Sequence, residues 1–291
     1  MATMPTEQAP GFLRRRVGDR VVTAVNDGMM SGSFDLLRGI SVADGEAVLR
    51  SCFRPAAPTF TFNTFLVQDG TRNVLIDTGA GALMGPAGGR LLGNLRAAGL
   101  APGDIDVILL THLHADHFGG MTDTNGAAVF ERAEVVVAEA EAAFWLDAAR
   151  AAEVPEAMRP VSVAAAAALA PYARRVRRFA GGEPVPGLHA ESLPGHTPGH
   201  TGYRIAGDEG GLLIWGDIVH VPDIQSRFPG VTVMFDVDPA QAEATRRRTL
   251  DMAARKRLLV AGMHMHFPGF AYVEVAGEGY RLAPAQWTPG L

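Results

Sequence analysis

The amino-acid sequence predicts a layered α/β sandwich. Short apolar runs bounded by turn residues recur along the chain, helical patterns follow them, and polar clusters fall where the apolar runs stop. Strands with an apolar face must bury it against helices or a second sheet, so two strand-rich halves, each finished by helices, call for stacked layers.

The elements read in order. TFNTFLVQDG and TRNVLIDTGAG are two strands joined by an Asp-Gly turn at residues 69–70, because Asp-Gly supplies the backbone a tight hairpin needs. RLLGNLRAAGL (90–100) has apolar residues at helical spacing and meets Gly99 as a stop. DIDVILL (104–110) is a buried strand, and AEVVVAEAEAAFWLDAARAAE is a strand followed by a helix. VSVAAAAALA (161–170), between Pro160 and Pro171, is a short helix. Strands return in RRVRRFAGGEPVPG, LHAESLPGHTPGH, TGYRIAGDEGG and LLIWGDIVH. Residues 239–256 form a helix, and RLLVAGMHMHFPG is a strand that ends in a histidine-bearing loop.

Composition narrows the function classes. A net charge of −5 argues against nucleic-acid binding, which needs a basic face. The basic run at residues 14–16 reads as part of a solvated N-terminal arm. The single cysteine, Cys52, permits no internal disulfide and no thiolate zinc site, so any metal must be held by imidazole and carboxylate. Cys52 itself reads as a small core residue. The N-terminus lacks the apolar segment of a secretory signal, and no run of about 18 apolar residues exists. No membrane span and a cytoplasmic location are therefore expected, unless a leader has been removed.

The chemistry concentrates in THLHADHFGG (111–120), which packs His112, His114, Asp116 and His117 behind a strand on a chain with nine histidines. Alternate residues of an extended chain point the same way, so His112 and His114 can reach one metal together. A turn after them swings Asp116 and His117 toward a neighbouring position, and Gly119 and Gly120 allow a tight backbone path beside it. More donors follow at later strand ends: His196 in GHTPGH, Asp217 in IWGDIVH, and His264 and His266 in AGMHMHFPG. Spacing does not separate His264 from His266.

THLHADH, together with GHTPGH, WGD and the strand–turn IDTG, resembles the metallo-β-lactamase superfamily over roughly residues 60–270. The resemblance implies a four-layer αββα sandwich and two divalent metal ions per chain, zinc foremost, with cobalt, manganese or iron also suited. It places His112, His114 and His196 on the first ion, Asp116, His117 and His264 on the second, and Asp217 between them. His264 is preferred because the lactonase and methyl-parathion-hydrolase branch carries a ligand histidine three residues before Phe-Pro-Gly. Asp77 in IDTG is expected either to orient a metal-binding imidazole or to cap a turn. His200 is expected to be a supporting donor or structural residue, and His189 to be ordinary.

That branch implies a hydrolase of lactones, esters or phosphotriesters, a small-molecule substrate, and a homodimer. Residues 1–30 read as an N-terminal extension that serves the dimer, and 31–291 as one hydrolase domain. Two ions supply a hydroxide at neutral pH, and Asp116 is expected to pass a proton to the leaving oxygen. Where the lactonases often carry tyrosine, three residues after the bridging aspartate, this chain has His220. An oxyanion partner or general acid is its expected role. Phe118, Trp145, Phe228, Phe267 and Phe270 are expected to line an apolar cleft, and the helical stretch 139–175 to cover it as a lid. The competing readings are a mononuclear iron oxidoreductase of the persulfide dioxygenase type on the same scaffold, and a binding protein with a relic metal site.

Overall fold

The computed structural model describes residues 4–6, 8–147, 154 and 156–291. In chain order they form β1 (Phe12–Val17), β2 (Arg20–Ser31), β3 (Leu37–Arg38), α1 (Val42–Ser51), β4 (Thr59–Gln68) and β5 (Asn73–Ile76). There follow α2 (Leu91–Ala97), β6 (Val107–Leu109), α3 (Ala115–Phe118), β7 (Glu134–Ala138), α4 (Glu139–Leu146), α5 (Arg159–Leu169) and β8 (Val176–Phe179). The second half holds β9 (Leu188–Ser192), β10 (Thr201–Ile205), β11 (Leu212–Ile214), α6 (Pro222–Gln225), β12 (Thr232–Val233), α7 (Pro239–Lys256), β13 (Leu259–Ala261), β14 (Phe270–Ala276) and β15 (Gly279–Pro284).

Strand alternation sorts the core. One sheet runs β1-β2-β4-β5-β6-β7-β8 and the other β15-β14-β13-β11-β10-β9. Phe65, Val67, Val74, Ile76, Val107, Leu109 and Val136 turn inward to meet Tyr203, Ile205, Leu212, Ile214, Leu259 and Ala261 of the opposite sheet. Their neighbours Leu66, Leu75, Ile108, Val135 and Val137 turn outward beneath Leu91 and Leu95 of α2, Ala142 and Trp145 of α4, and Leu169 of α5. On the far side Leu213, Val260 and Val273 turn outward beneath Leu250 and Ala253 of α7. Helix, sheet, sheet and helix therefore stack as the expected αββα sandwich, because the period of two along each strand leaves two apolar faces to bury.

Three expectations for the N-terminal half need correction. Residues 12–31 are not an extension. β2 pairs with β4 from Val21 opposite Gln68 to Ser31 opposite Thr59, and Val22 and Ala24 sit in the core between the sheets. Arg14, Arg15 and Arg16 lie on β1, an edge strand paired with β2, rather than on a free arm. Cys52 follows the last turn of α1, half-buried, with the Arg227 Nη2 3.0 Å from its sulfur, and is no core residue. Among the described residues no helix is long and apolar enough to cross a membrane.

The fold directs its reactive residues to one edge. β5 and β6 are parallel, as are β11 and β13, so the ends of each pair exit on the same side. The two sheets are fastened there by Tyr203, whose buried hydroxyl donates to the Leu110 carbonyl at 2.6 Å.

Candidate metal centre

Four strand ends deliver the site. β6 runs into His112, His114 and α3; β9 into the loop of His196; β11 into Asp217; and β13 into His264. The backbone beside α3 is crowded. A Cβ at Gly119 would stand 2.1 Å from the Ala80 carbonyl and one at Gly120 2.2 Å from that of Thr78, so only glycine fits either position.

The expected donors converge. The side-chain atoms of His112, His114 and His196 lie within 4.8 Å of one another, as do those of Asp116, His117 and His264, and those of His112, His117 and Asp217. His114 Nδ1 is 3.1 Å from His112 Nε2 and 2.9 Å from His196 Nε2. Asp217 Oδ2 sits between the two clusters, 3.4 Å from His196 Nε2, 3.2 Å from His117 Nε2 and 2.9 Å from His264 Nε2. Asp116 Oδ2 is 3.4 Å from His264 Nε2. A tetrahedron with ligands at about 2.0–2.1 Å has edges of roughly 3.3 Å, so the donors already stand at coordinating separations.

The rear hydrogen bonds explain why these atoms face inward. His117 donates Nδ1–H to Asp77 Oδ2 at 2.8 Å. His264 donates Nδ1–H to the Thr61 carbonyl at 2.8 Å, and His196 to Asp236 Oδ1 at 2.7 Å. The Thr111 hydroxyl is committed to Asp77 Oδ2 at 2.7 Å, so His112 Nδ1, 3.0 Å from that oxygen, is the donor there. Each ring is left presenting a bare Nε2 lone pair. Burial and neighbouring imidazoles push His112 and His114 well below the ordinary histidine range. His117 and His264 resist burial because Asp217 and Asp116 raise them. His117 Nε2 and Asp217 Oδ1 are buried without a hydrogen-bond partner. Buried acceptors packed against one another repel unless a cation lies between them, so the donor set fits divalent metal.

Asp77 supports two rings, His117 directly and His112 through the Thr111 hydroxyl. Besides His117 it accepts the Thr111 backbone N–H at 2.8 Å, and its φ of 58° places it in the left-handed region that non-glycine residues avoid. His200 holds Asp217 by its backbone: it donates Nδ1–H to the Leu193 carbonyl at 2.8 Å and its Nε2 accepts the Asp217 N–H at 2.9 Å. Burial and the adjacent His196 drive His200 down to about 3, so it is a neutral ring. His266 turns away, 2.6 Å from Asp223 Oδ2. The loop after β13 is a series of turns rather than extended chain, so residues two apart do not share a face there. His189 lies on β9, outside the site.

The expected cleft aromatics lie elsewhere. Phe118 is fully buried under the helices, Phe270 sits between the sheets, and Trp145 stands edge-on behind His114 at 5.5 Å. Phe228 borders a separate cleft with Arg227 and Tyr280, and Phe267 is partly exposed at the surface. A cavity of about 190 Å³ does open onto the metal donors, but Met30, Phe60, Phe62, Met84, Met158, Val161 and Phe235 wall it. From the expected lid, Met158 and Val161 at the start of α5 reach the cavity; residues 148–153 and 155 of that stretch lie outside the described residues. His220 also faces the cavity, with Nε2 3.2 Å from Asp217 Oδ2 and its ring stacked 5.0 Å from that of His264.

Three further residues carry the site without a sequence signature. Asp236 orients His196. Arg246, buried on α7, donates to the Ile218, Pro229 and Val231 carbonyls at 2.7, 2.9 and 2.9 Å and so frames the loop bearing His220. Glu141, buried on α4, bonds to both donor loops of the first cluster.

Similarity to known proteins agrees with this geometry. Residues 60–264 match the sequence profile of the metallo-beta-lactamase superfamily. An uncharacterised protein of Bacillus subtilis strain 168, YobT, is 30% identical over 184 residues, which span 60% of this chain and 73% of that protein. The crystal structure of AbOPH, a hydrolase in the β-lactamase superfamily, superposes with a TM-score of 0.92 at 32% identity, covering 97% of this chain and 100% of that one. AidC, a dizinc quorum-quenching lactonase with a homoserine product bound, superposes at 0.88 and 24% identity over 96% and 98% of the two chains. With its αββα layers, its clustered histidines and aspartates at one sheet edge and a profile match over most of its length, the chain belongs to the metallo-beta-lactamase superfamily.

Proposed function

We propose that the chain is a dinuclear metal-dependent hydrolase acting on small lactones or esters with an apolar acyl part. The observation that carries this reading is the sharing of Asp217 by two three-donor clusters beneath an apolar cavity. His112, His114 and His196 would hold one ion, Asp116, His117 and His264 the other, and Asp217 both. Zinc leads because the donors are imidazole and carboxylate, and AidC is a dizinc enzyme. Such ions, when bound, supply a hydroxide nucleophile at neutral pH and Lewis acidity toward an acyl oxygen.

The chain's own residues do the rest. The methionine, phenylalanine and valine wall binds the acyl part and excludes water from the reacting carbonyl. Asp116, the most exposed carboxylate of the cluster, moves a proton to the leaving oxygen. His220 faces the same space. Burial carries its imidazole down to about 4 despite Asp217, so at neutral pH it donates a hydrogen bond to the acyl oxygen and does not act as a charged acid. The expected general-acid role is therefore set aside in favour of the oxyanion partner.

Metal content of the purified protein tests the reading: two zinc, cobalt or manganese ions per chain support it. One iron per chain points instead to the oxidoreductase reading, and no bound metal to a relic site. A panel of acyl-homoserine lactones, aryl esters and phosphotriesters then fixes the substrate class, and inertness toward all three would overturn it.

A further inference from the structure

Glu141 stands on α4, fully buried, and among the described residues no arginine or lysine is a hydrogen-bond partner. Among the described residues its four bonds come from neutral donors. Oε1 accepts the Leu113 backbone N–H at 2.8 Å and the Trp145 Nε1–H at 2.7 Å. Oε2 accepts the Thr197 hydroxyl at 2.7 Å and the Gly199 N–H at 3.0 Å.

Three of the four donors border a member of one cluster, and Gly199 lies on the same loop as His196. Leu113 lies between His112 and His114, Trp145 packs edge-on against His114, and Thr197 follows His196. No bond from Glu141 reaches His117, Asp116 or His264 or the residues beside them. Asp77 differs, since it bonds to His117 and also reaches His112 through Thr111.

We propose that Glu141 is a positioning residue for the first ion alone. It ties the loop after β6 to the loop after β9, and so sets the separation of His112 and His114 from His196. Loss of its charge loosens that triangle and leaves the second cluster in place. The proposal rests on the dinuclear reading, and metal binding by each variant separates the two.

Metal-free full-length protein is titrated with zinc by calorimetry and with cobalt by visible absorption. His114→Ala and His264→Ala serve as references for damage to the first and second sites. The wild type is expected to bind in two steps. Glu141→Gln keeps the shape but presents an amide to two donors; it should weaken one step roughly 10- to 100-fold, as lost supporting carboxylates do. Its isotherm and cobalt spectrum should follow His114→Ala. Thr197→Val, which removes one donor at nearly constant volume, should shift the same step by less, and it carries the test should Glu141→Gln not fold. Equal weakening of both steps, no weakening, or a profile following His264→Ala would overturn the positioning role. A wild type that binds one ion overturns the dinuclear reading; Glu141→Gln then supports the role by weakening that ion or overturns it by leaving the affinity unchanged.

Discussion

Asp236 Oδ1 receives the Nδ1–H of His196 at 2.7 Å, while its Oδ2 accepts the Val233 N–H at 3.0 Å and lies 3.9 Å from Arg246. Burial alone would raise this carboxyl, but the hydrogen bond from His196 holds it below its ordinary 3.8. A carboxyl depressed in the fold stabilises it above the unfolded value and loses that contribution as pH falls through the lower folded one. Asp236→Asn should therefore lower zinc affinity roughly 10- to 100-fold at pH 7 and flatten the stability profile below about pH 4. Competition with a chromophoric chelator and acid denaturation read the two effects. Wild-type zinc affinity would remove Asp236 from the site's support.

Arg246 satisfies three carbonyls from inside the protein. Arg246→Met fills much of the volume yet leaves the buried Ile218 and Pro229 carbonyls without their donor, while Val231 keeps the Gln225 amide at 3.0 Å and Asp236 keeps His196. A loss of about 3–5 kcal/mol in urea unfolding is expected. A loss under 1 kcal/mol would show that water replaces the guanidinium.

His220 is asked to act on substrate, not on metal. His220→Ala should reduce kcat by about 10²-fold, the scale of a lost oxyanion donor, with metal content and the unfolding midpoint close to wild type. Unchanged turnover would end the role; loss of an ion would make His220 a ligand.

The cavity wall makes a size prediction. Phe235→Ala and Val161→Ala each remove apolar surface from a space of about 190 Å³. With each buried methylene worth about 0.8 kcal/mol, kcat/KM for short acyl substrates should fall several-fold while longer acyl chains gain. Equal changes for every chain length would place the acyl group elsewhere.

What the sequence disclosed and withheld follows from distance along the chain. His112, His114, Asp116 and His117 sit within six positions, and His196, Asp217 and His264 each end an apolar run, so local pattern exposes them. The sandwich was legible for the same reason, since Leu66, Leu75 and Ile108 alternate with inward neighbours. The cavity wall was not, because Met30, Phe60, Met84, Val161 and Phe235 meet only through sheet order. Phe118 and Phe270 misled by adjacency: each neighbours a site loop yet turns its ring into a core. Glu141 and Asp236 were hidden differently. On an Ala- and Glu-rich helix or in a polar loop, a buried carboxylate has the same signature as a solvated one.

The shared oxygen of Asp217 has a consequence for the newborn chain. During synthesis the 112–117 segment emerges long before its partners, a cluster of unprotected imidazoles without a cage. His196 comes next and Asp217 after it, but the latter's strand β11 is clasped in parallel by β13, which is made more than 40 residues later. Neither donor cluster can close until that strand has emerged, and His264 follows it by three positions. Closure of the donor cage is thereby timed to the emergence of β13 and the loop that follows it.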